Sequence, residues 1–175
     1  PTAAYRRLME TNVDGTFFAT RAAIPHLRES AGNVVFVGSF AGNFPRPAVS
    51  LYSTSKWWLR GFATNLSASE GKHGVGVTLV NPTTVRTSMV PPFGNPEEKR
   101  LDELHDPGEA AEPEELADAV IFAANQRPAT TVTEMNVYMR DWYANYFEQA
   151  HSEGFGRQRG GPGGGGGARG ETGAP

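Results

Sequence analysis

Apolar residues recur along the chain with two different periods, and their alternation lays out its elements. From about Thr2 to Glu29 they fall at Tyr5, Leu8, Met9, Val13, Thr16-Phe17, Ile24 and Leu27, the spacing of one helical face. Gly15 weakens that helix by about 1 kcal/mol relative to alanine, and Pro25 is expected to bend or break it. Asn33–Val37 is a short, continuous, β-branched run, as in a parallel strand buried on both faces. Gly42, Asn43, Pro45 and Pro47 then mark a loop, and a helix is predicted from about Ser50 to Glu70. A second buried strand spans Gly74–Pro82 and stops at a proline that cannot continue the ladder. Thr83 to about Pro107 is proline-rich and aperiodic, a loop long enough to suggest function. Glu112-Pro113-Glu114-Glu115 opens a helix that ends near Asn125. Thr130–Tyr138 reads as a third strand nearer an edge, and Asp141 to about Ala150 as a short, aromatic-rich last helix.

The order helix, strand, helix, strand, helix, strand predicts an α/β fold: a doubly wound parallel sheet with crossover helices. Three strands make a thin sheet of this kind. From Gly154 onward glycine dominates, and no aromatic residue follows Phe155. Such a stretch buries too little apolar surface to offset its ordering entropy, so residues 1–152 are expected to form the domain and 153–175 a disordered tail.

Composition removes several functional classes. A net charge of −3 with mixed signs gives no basic stripe for nucleic acid. No apolar run has the length of a membrane span and no signal-peptide pattern is present, so a soluble, cytoplasmic protein is expected. Cysteine is absent, and His26, His73, His105 and His151 lack ligand spacing, so no metal is expected.

The candidate chemistry lies between the first two strands. Ser39 would end the first strand, where open α/β sheets bind ligands. Tyr52 and Lys56 are four residues apart and share one face of the next helix. A phenol titrates near 10, so a neighbouring cation is what would favour its phenolate and make it useful at neutral pH. Asn12 falls on the apolar stripe of the first helix, where an inward-facing amide needs partners. Taken singly, these features have ordinary explanations: helical Tyr-Lys spacing arises by chance, and a serine after a strand often caps a turn.

Taken together, Tyr52-x-x-x-Lys56, Ser39 thirteen residues before the tyrosine, and Asn12 in Asn12-Val13-Asp14-Gly15 resemble the shorter-chain subgroup of the short-chain dehydrogenase/reductase family. The resemblance covers roughly residues 1 to 140. It implies a Rossmann-like fold, of which this chain carries the last three strands and their helices, and hydride transfer between NAD or NADP and a carbonyl or alcohol. It also implies roles. Tyr52 exchanges the proton, Lys56 lowers the phenol's pKa and holds the nicotinamide ribose, Ser39 binds the substrate oxygen, and Asn12 positions a water linking Lys56 to solvent. Pro82-Thr83-Thr84-Val85-Arg86-Thr87 matches the family's Pro-Gly-x-Val-x-Thr, so Pro82, Val85 and Thr87 would border the nicotinamide; Thr83 replaces the usual glycine.

The family's glycine motif for the pyrophosphate is missing, and the glycine-rich tail has no strand before it or helix after it. The chain is therefore expected to be the carboxyl-terminal part of a longer enzyme, to bind the dinucleotide weakly and to fold poorly alone. Phe44, Pro45, Met89, Val90 and Phe93 suggest an apolar wall for a small carbonyl or alcohol substrate. A non-catalytic scaffold is the alternative. In the family the two long helices often meet a second subunit, giving a homodimer or homotetramer, with Trp57, Trp58 and Phe62 either there or in the core. A sugar-nucleotide epimerase shares Tyr-x-x-x-Lys but usually has a longer serine-to-tyrosine interval and a larger carboxyl-terminal domain.

Overall fold

The computed structural model describes residues 2–89, 100–106 and 109–156, with the side chains of residue 104 and residues 149–156 left aside. Val90 and Phe93, proposed above as pocket wall, and residues 157–175 of the expected tail lie outside the described residues.

In chain order the elements are α1 (Thr2–Met9), a π-helical turn (Glu10–Asp14), α2 (Gly15–Ser30), β1 (Asn33–Val37), α3 (Ser50–Glu70), β2 (Gly76–Pro82), α4 (Leu101–Leu104), α5 (Pro113–Ala124), β3 (Glu134–Val137) and α6 (Arg140–Gly156). The strands form one parallel sheet in the order β1-β2-β3, with Val35 opposite Thr78 and Asn81 opposite Asn136. Parallel neighbours require a crossover, which α3 supplies between β1 and β2, and α5 between β2 and β3. This is the Rossmann-like α/β arrangement expected from the sequence.

The central strand carries the core. Every residue of β2 is buried, and alternate positions point to opposite faces. Val77 and Leu79 pack with Val75, Phe36 of β1, and Leu59 and Ala63 of α3; Leu27, Trp58, Phe62 and Leu66 close the cluster. The α3 contributors recur at helical spacing, which is why a helix here can cover the sheet. Trp58 stacks on Phe62 at 4.9 Å, so these two belong to the core, whereas Trp57 is 46% exposed.

The first helix departs from its expected course. Pro25 lies inside α2 without ending it, and the irregularity falls earlier, where the Gly15 N–H bonds to Glu10 O in a π turn. The helix ends at Ala31, a left-handed residue (φ 48°), with Gly32 N–H returning to Leu27 O at 3.0 Å. Arg28 then clamps the buried Glu70 of α3 through two hydrogen bonds of 2.6 and 2.7 Å.

The strands depart less. β2 starts at Gly76 because Gly74 adopts φ 77° to close the turn after α3. β3 pairs only through Glu134–Val137, leaving Thr130–Thr133 outside the strand although Thr133 O accepts Leu79 N–H at 3.0 Å. β1 is only half-buried, and its Val37 is 45% exposed: the strand stands at the sheet edge, so its outer flank lacks the cover given to β2. α5 begins with a capping box between Glu112 and Glu115, as its acidic, proline-bearing start implied.

Backbone packing divides the chain after Met139, so the sheet with its helices is one unit and α6 belongs to another. α6 reaches Gly156, beyond the expected Ala150 and into the segment read as tail. Its aromatics pair along one helix at i, i+4, Trp142 on Tyr146 at 5.3 Å and Tyr143 on Phe147 at 4.9 Å. Among the described residues no helix is long and apolar enough to cross a membrane.

Candidate active site

The carboxyl end of β1 turns sharply onto α3. Gly38 N–H extends the ladder to Val80 O at 2.7 Å; Ser39 follows in extended conformation and caps a short 3-10 turn, Phe40–Gly42, by accepting Ala41 N–H at 3.1 Å. That turn is docked on the first turns of α3. Ser53 Oγ donates to Ala41 O at 2.7 Å, and a Cβ at Gly42 would come within 2.9 Å of Lys56 O, so glycine permits the approach. The serine is thereby delivered to the helix that carries Tyr52 and Lys56.

Two opposing influences act on the Tyr52 phenol: burial raises its pKa and the Ser39 hydroxyl lowers it, and burial prevails. The Lys56 ammonium lies 5.7 Å from the centre of the Tyr52 ring and donates to Val37 O at 3.0 Å. Its own pKa is lowered by burial. The ammonium faces the ring and a strand carbonyl, and the phenol stands above its ordinary value.

Asn12 occupies the π turn, which packs against α3. Its Nδ2 donates to Ser55 Oγ at 3.1 Å, and Ser55 Oγ donates to Tyr52 O at 2.7 Å. The Asn12 carbonyl accepts the Thr16 hydroxyl at 2.9 Å. Asn12 therefore reaches the backbone of the tyrosine through one serine, and Ser55, 1% exposed, is a link that the Tyr-Lys spacing did not single out.

Pro82 ends β2, fully buried, and the chain leaves through Val85 and Thr87. Val85 pairs with Ala111 in an isolated parallel bridge, and Arg86 braces it, donating to His105 O at 3.0 Å and to Glu112 Oε1 at 2.7 Å. Thr87 Oγ1 accepts Met89 N–H at 3.3 Å. Asn12, Ser39, Tyr52 and Lys56 are thus joined through α3. The described contact of Val85 runs instead to the segment that precedes α5, and those of Thr87 to Met89 and to Asp102 of α4. Of the suggested apolar wall, Phe44 is stacked on Phe40 at 4.5 Å and Met89 is 47% exposed.

Sequence reasoning passed over a polar network beneath the serine. Buried Asn81 accepts Ser39 N–H at 3.2 Å and donates to Glu134 Oε1 (2.9 Å) and Asn136 Oδ1 (3.1 Å). Arg60 Nε contacts both Glu134 oxygens at 3.1 Å, and Asn43 Nδ2 donates to Asn136 Oδ1 at 2.7 Å. Two signals were available: Asn81 interrupts an apolar strand, and Arg60 continues the Tyr52, Lys56 spacing by another four residues.

A model of the short chain dehydrogenase family matches residues 1–98, more than half of the chain, and the chain belongs to that family. An L-fucose dehydrogenase of Bos taurus is 30% identical over 139 residues, which cover 76% of this chain and 52% of that protein. The chain spans about half the length of the curated relatives of that name which it matches. Among solved structures, a 3-oxoacyl-(acyl-carrier protein) reductase with bound NAD from Brucella melitensis is 26% identical with a TM-score of 0.62, over 79% of this chain and 52% of that one. The closed form of a serine dehydrogenase complexed with NADP+ has a TM-score of 0.68 over 78% of this chain and 56% of that one; at 21% identity it speaks for the fold alone.

Proposed function

We propose that this chain carries the catalytic half of an NAD- or NADP-dependent oxidoreductase that interconverts a carbonyl and an alcohol on a small molecule. The observation that carries the reading is the docking of the Ser39 turn on the first turns of α3, which carry Tyr52 and Lys56, with the Lys56 ammonium 5.7 Å from the centre of the tyrosine ring. A hydroxyl pair beside a cation, at the carboxyl edge of a parallel sheet, suits proton transfer at a substrate oxygen.

The nicotinamide end of a dinucleotide fits the residues present. Lys56 has three donors and uses one on Val37 O, which leaves donors for ribose hydroxyls, and Val85 and Thr87 stand in the segment leaving β2. When bound, the dinucleotide supplies or accepts the hydride. Tyr52 holds the proton that reaches the carbonyl oxygen or leaves the alcohol. Ser39 donates to that oxygen as charge develops, and Lys56 keeps positive charge beside the phenol. Asn12 fixes the turn of α3 from which Tyr52 projects, through Ser55.

No glycine-rich strand-to-helix turn for the pyrophosphate occurs in the sequence. Together with the half-length match to relatives, this supports a longer protein in which a nucleotide-binding half adjoins β1. Residues 1–152 would then be the rest of the catalytic domain and 153–175 a tail. The exposed Phe18 (59%) and Trp57 (46%) on α2 and α3 support a homo-oligomer, and the composition supports a cytoplasmic location.

The test is turnover. The 175-residue chain and a form extended upstream are assayed for NADH and NADPH oxidation with a panel of ketones, each with Tyr52→Phe. Turnover by the extended form that Tyr52→Phe abolishes is the expected result. An extended form that binds no dinucleotide overturns the reading in favour of a non-catalytic scaffold, and turnover indifferent to Tyr52 overturns the site assigned to it.

A further inference from the structure

We infer that Asn81 is a positioning residue, which holds Ser39 at the end of β1 and ties it, through Glu134 and Arg60, to the helix bearing Tyr52 and Lys56. The inference deepens the function proposed above and rests on it for the meaning of Ser39.

The argument starts from a buried amide. Asn81 is 1% exposed, near the end of an otherwise apolar strand, where an amide without partners would be costly. Its oxygen and both N–H groups are engaged. The oxygen takes Ser39 N–H at 3.2 Å, one residue beyond the last ladder bond, that from Gly38 to Val80 O. A side-chain carbonyl thus continues a ladder that the backbone has left, and it fixes the residue that opens the turn docked on the helix of Tyr52.

The neighbouring glycine belongs to the same device. A Cβ built at Gly38 would overlap Asn81 Oδ1 and press on Leu79 Cδ1 at 3.0 Å. Any side chain at residue 38 displaces the amide, so Gly38 and Asn81 form a matched pair.

On its other side the amide is anchored to charge. Glu134 receives the Asn81 amide and is held by Arg60, whose Nε reaches both carboxylate oxygens at 3.1 Å. Arg60 lies four residues after Lys56, as Lys56 lies four after Tyr52, so one stripe of α3 carries all three. The path Arg60–Glu134–Asn81–Ser39 therefore starts on the helix that carries the tyrosine and ends on the serine whose turn is docked on that helix. A displacement of α3 relative to β1 is resisted by polar contacts rather than by apolar packing alone.

Asn81→Ala and Gly38→Ala test this, separately and together, on two readouts. The first is the phenol titration of Tyr52 in the 175-residue chain, followed by NMR and assigned by its loss in Tyr52→Phe. The second is kcat and KM of the form that turns over. Each single variant is expected to move the Tyr52 titration upward, as loss of the lowering influence of the Ser39 hydroxyl would. Each should lower kcat by about ten- to a hundred-fold with KM little changed, the mark of a misplaced group. The double variant should be no worse than Asn81→Ala, since the two act on one contact. If the variants lose thermal stability while kcat and the Tyr52 titration stay at wild-type values, Asn81 is only structural and the inference falls. Should Asn81→Ala fail to fold, Gly38→Ala, which leaves the amide present, decides on the same readouts. A shifted Tyr52 titration in a protein with no turnover in any form would retain the positioning role and defeat the function instead.

Discussion

The Lys56 ammonium donates to the carbonyl of Val37, at 3.0 Å, and so spans from the second turn of α3 to the last residue of β1. The contact fixes where the cation points. The cation is turned towards a strand end and a ring face, burial lowers its pKa, and burial also holds the neighbouring phenol above its usual range.

The alkaline stability of the chain should therefore carry two opposed contributions. Tyr52 binds its proton more tightly folded than unfolded, so its contribution is complete below its ordinary value of 10.0 and is lost as pH rises through the folded value. Lys56 holds its proton less tightly folded, so its penalty is relieved as pH rises through its lowered folded value towards 10.5. Unfolding free energies measured across this range should show Tyr52→Phe flattening the alkaline fall. Lys56→Met should remove the rise and leave the neutral chain no less stable.

Ser39→Ala should shift the Tyr52 titration further up, because the hydroxyl is the group that opposes burial there. In the form that turns over, kcat should fall by about a hundred- to a thousand-fold, the usual loss when one donor to a developing oxyanion is removed. NMR titration and steady-state rates check the two halves of the prediction.

Asn12→Ala removes the donor to Ser55 Oγ, while Ser55 keeps its own bond to Tyr52 O. A single hydrogen bond of this kind contributes about 1 kcal/mol, so the urea midpoint should drop modestly with an unchanged slope. Asn12→Asp, which keeps the shape but cannot donate, should cost at least as much.

Leu79→Ala should cost about 2–5 kcal/mol, since the side chain is 2% exposed in the central strand between Phe36 and α3 residues that cannot collapse onto the gap. Val37→Ala, at the exposed edge of β1, should cost far less. Chemical denaturation of the two variants in parallel gives the comparison.

The elements that could be read from the sequence are those whose signal is local. β1 and the α3 helix were found within their bounds because a β-branched run and a long amphipathic stretch need no knowledge of their neighbours. The edge position of β1 was not legible, since its residues look like those of a strand covered on both sides and only the strand order exposes Val37. Ser39, Tyr52, Lys56 and Asn12 could be picked out by type and spacing. Asn81 stands out by type as an amide in an apolar strand, but its task was not legible, because it depends on Gly38 and Glu134 arriving beside it from β1 and β3. The contact of Lys56 with Val37 O was not legible for a related reason: spacing brings two side chains to one face but does not say which way the ammonium turns.

The π turn at Glu10–Asp14 has a consequence for how this helix tolerates insertions and deletions. A π turn holds one residue more than the α-helix needs for the same length, and each residue rotates a helix by about 100°. Deleting a single residue there would restore regular winding with α1 and α2 keeping their bearing, but it would remove the widened turn from which Asn12 reaches Ser55. Point substitutions at Asn12 disturb one hydrogen bond; a one-residue deletion beside it removes the turn that presents it. In a set of related sequences, length at this turn should vary less than residue identity.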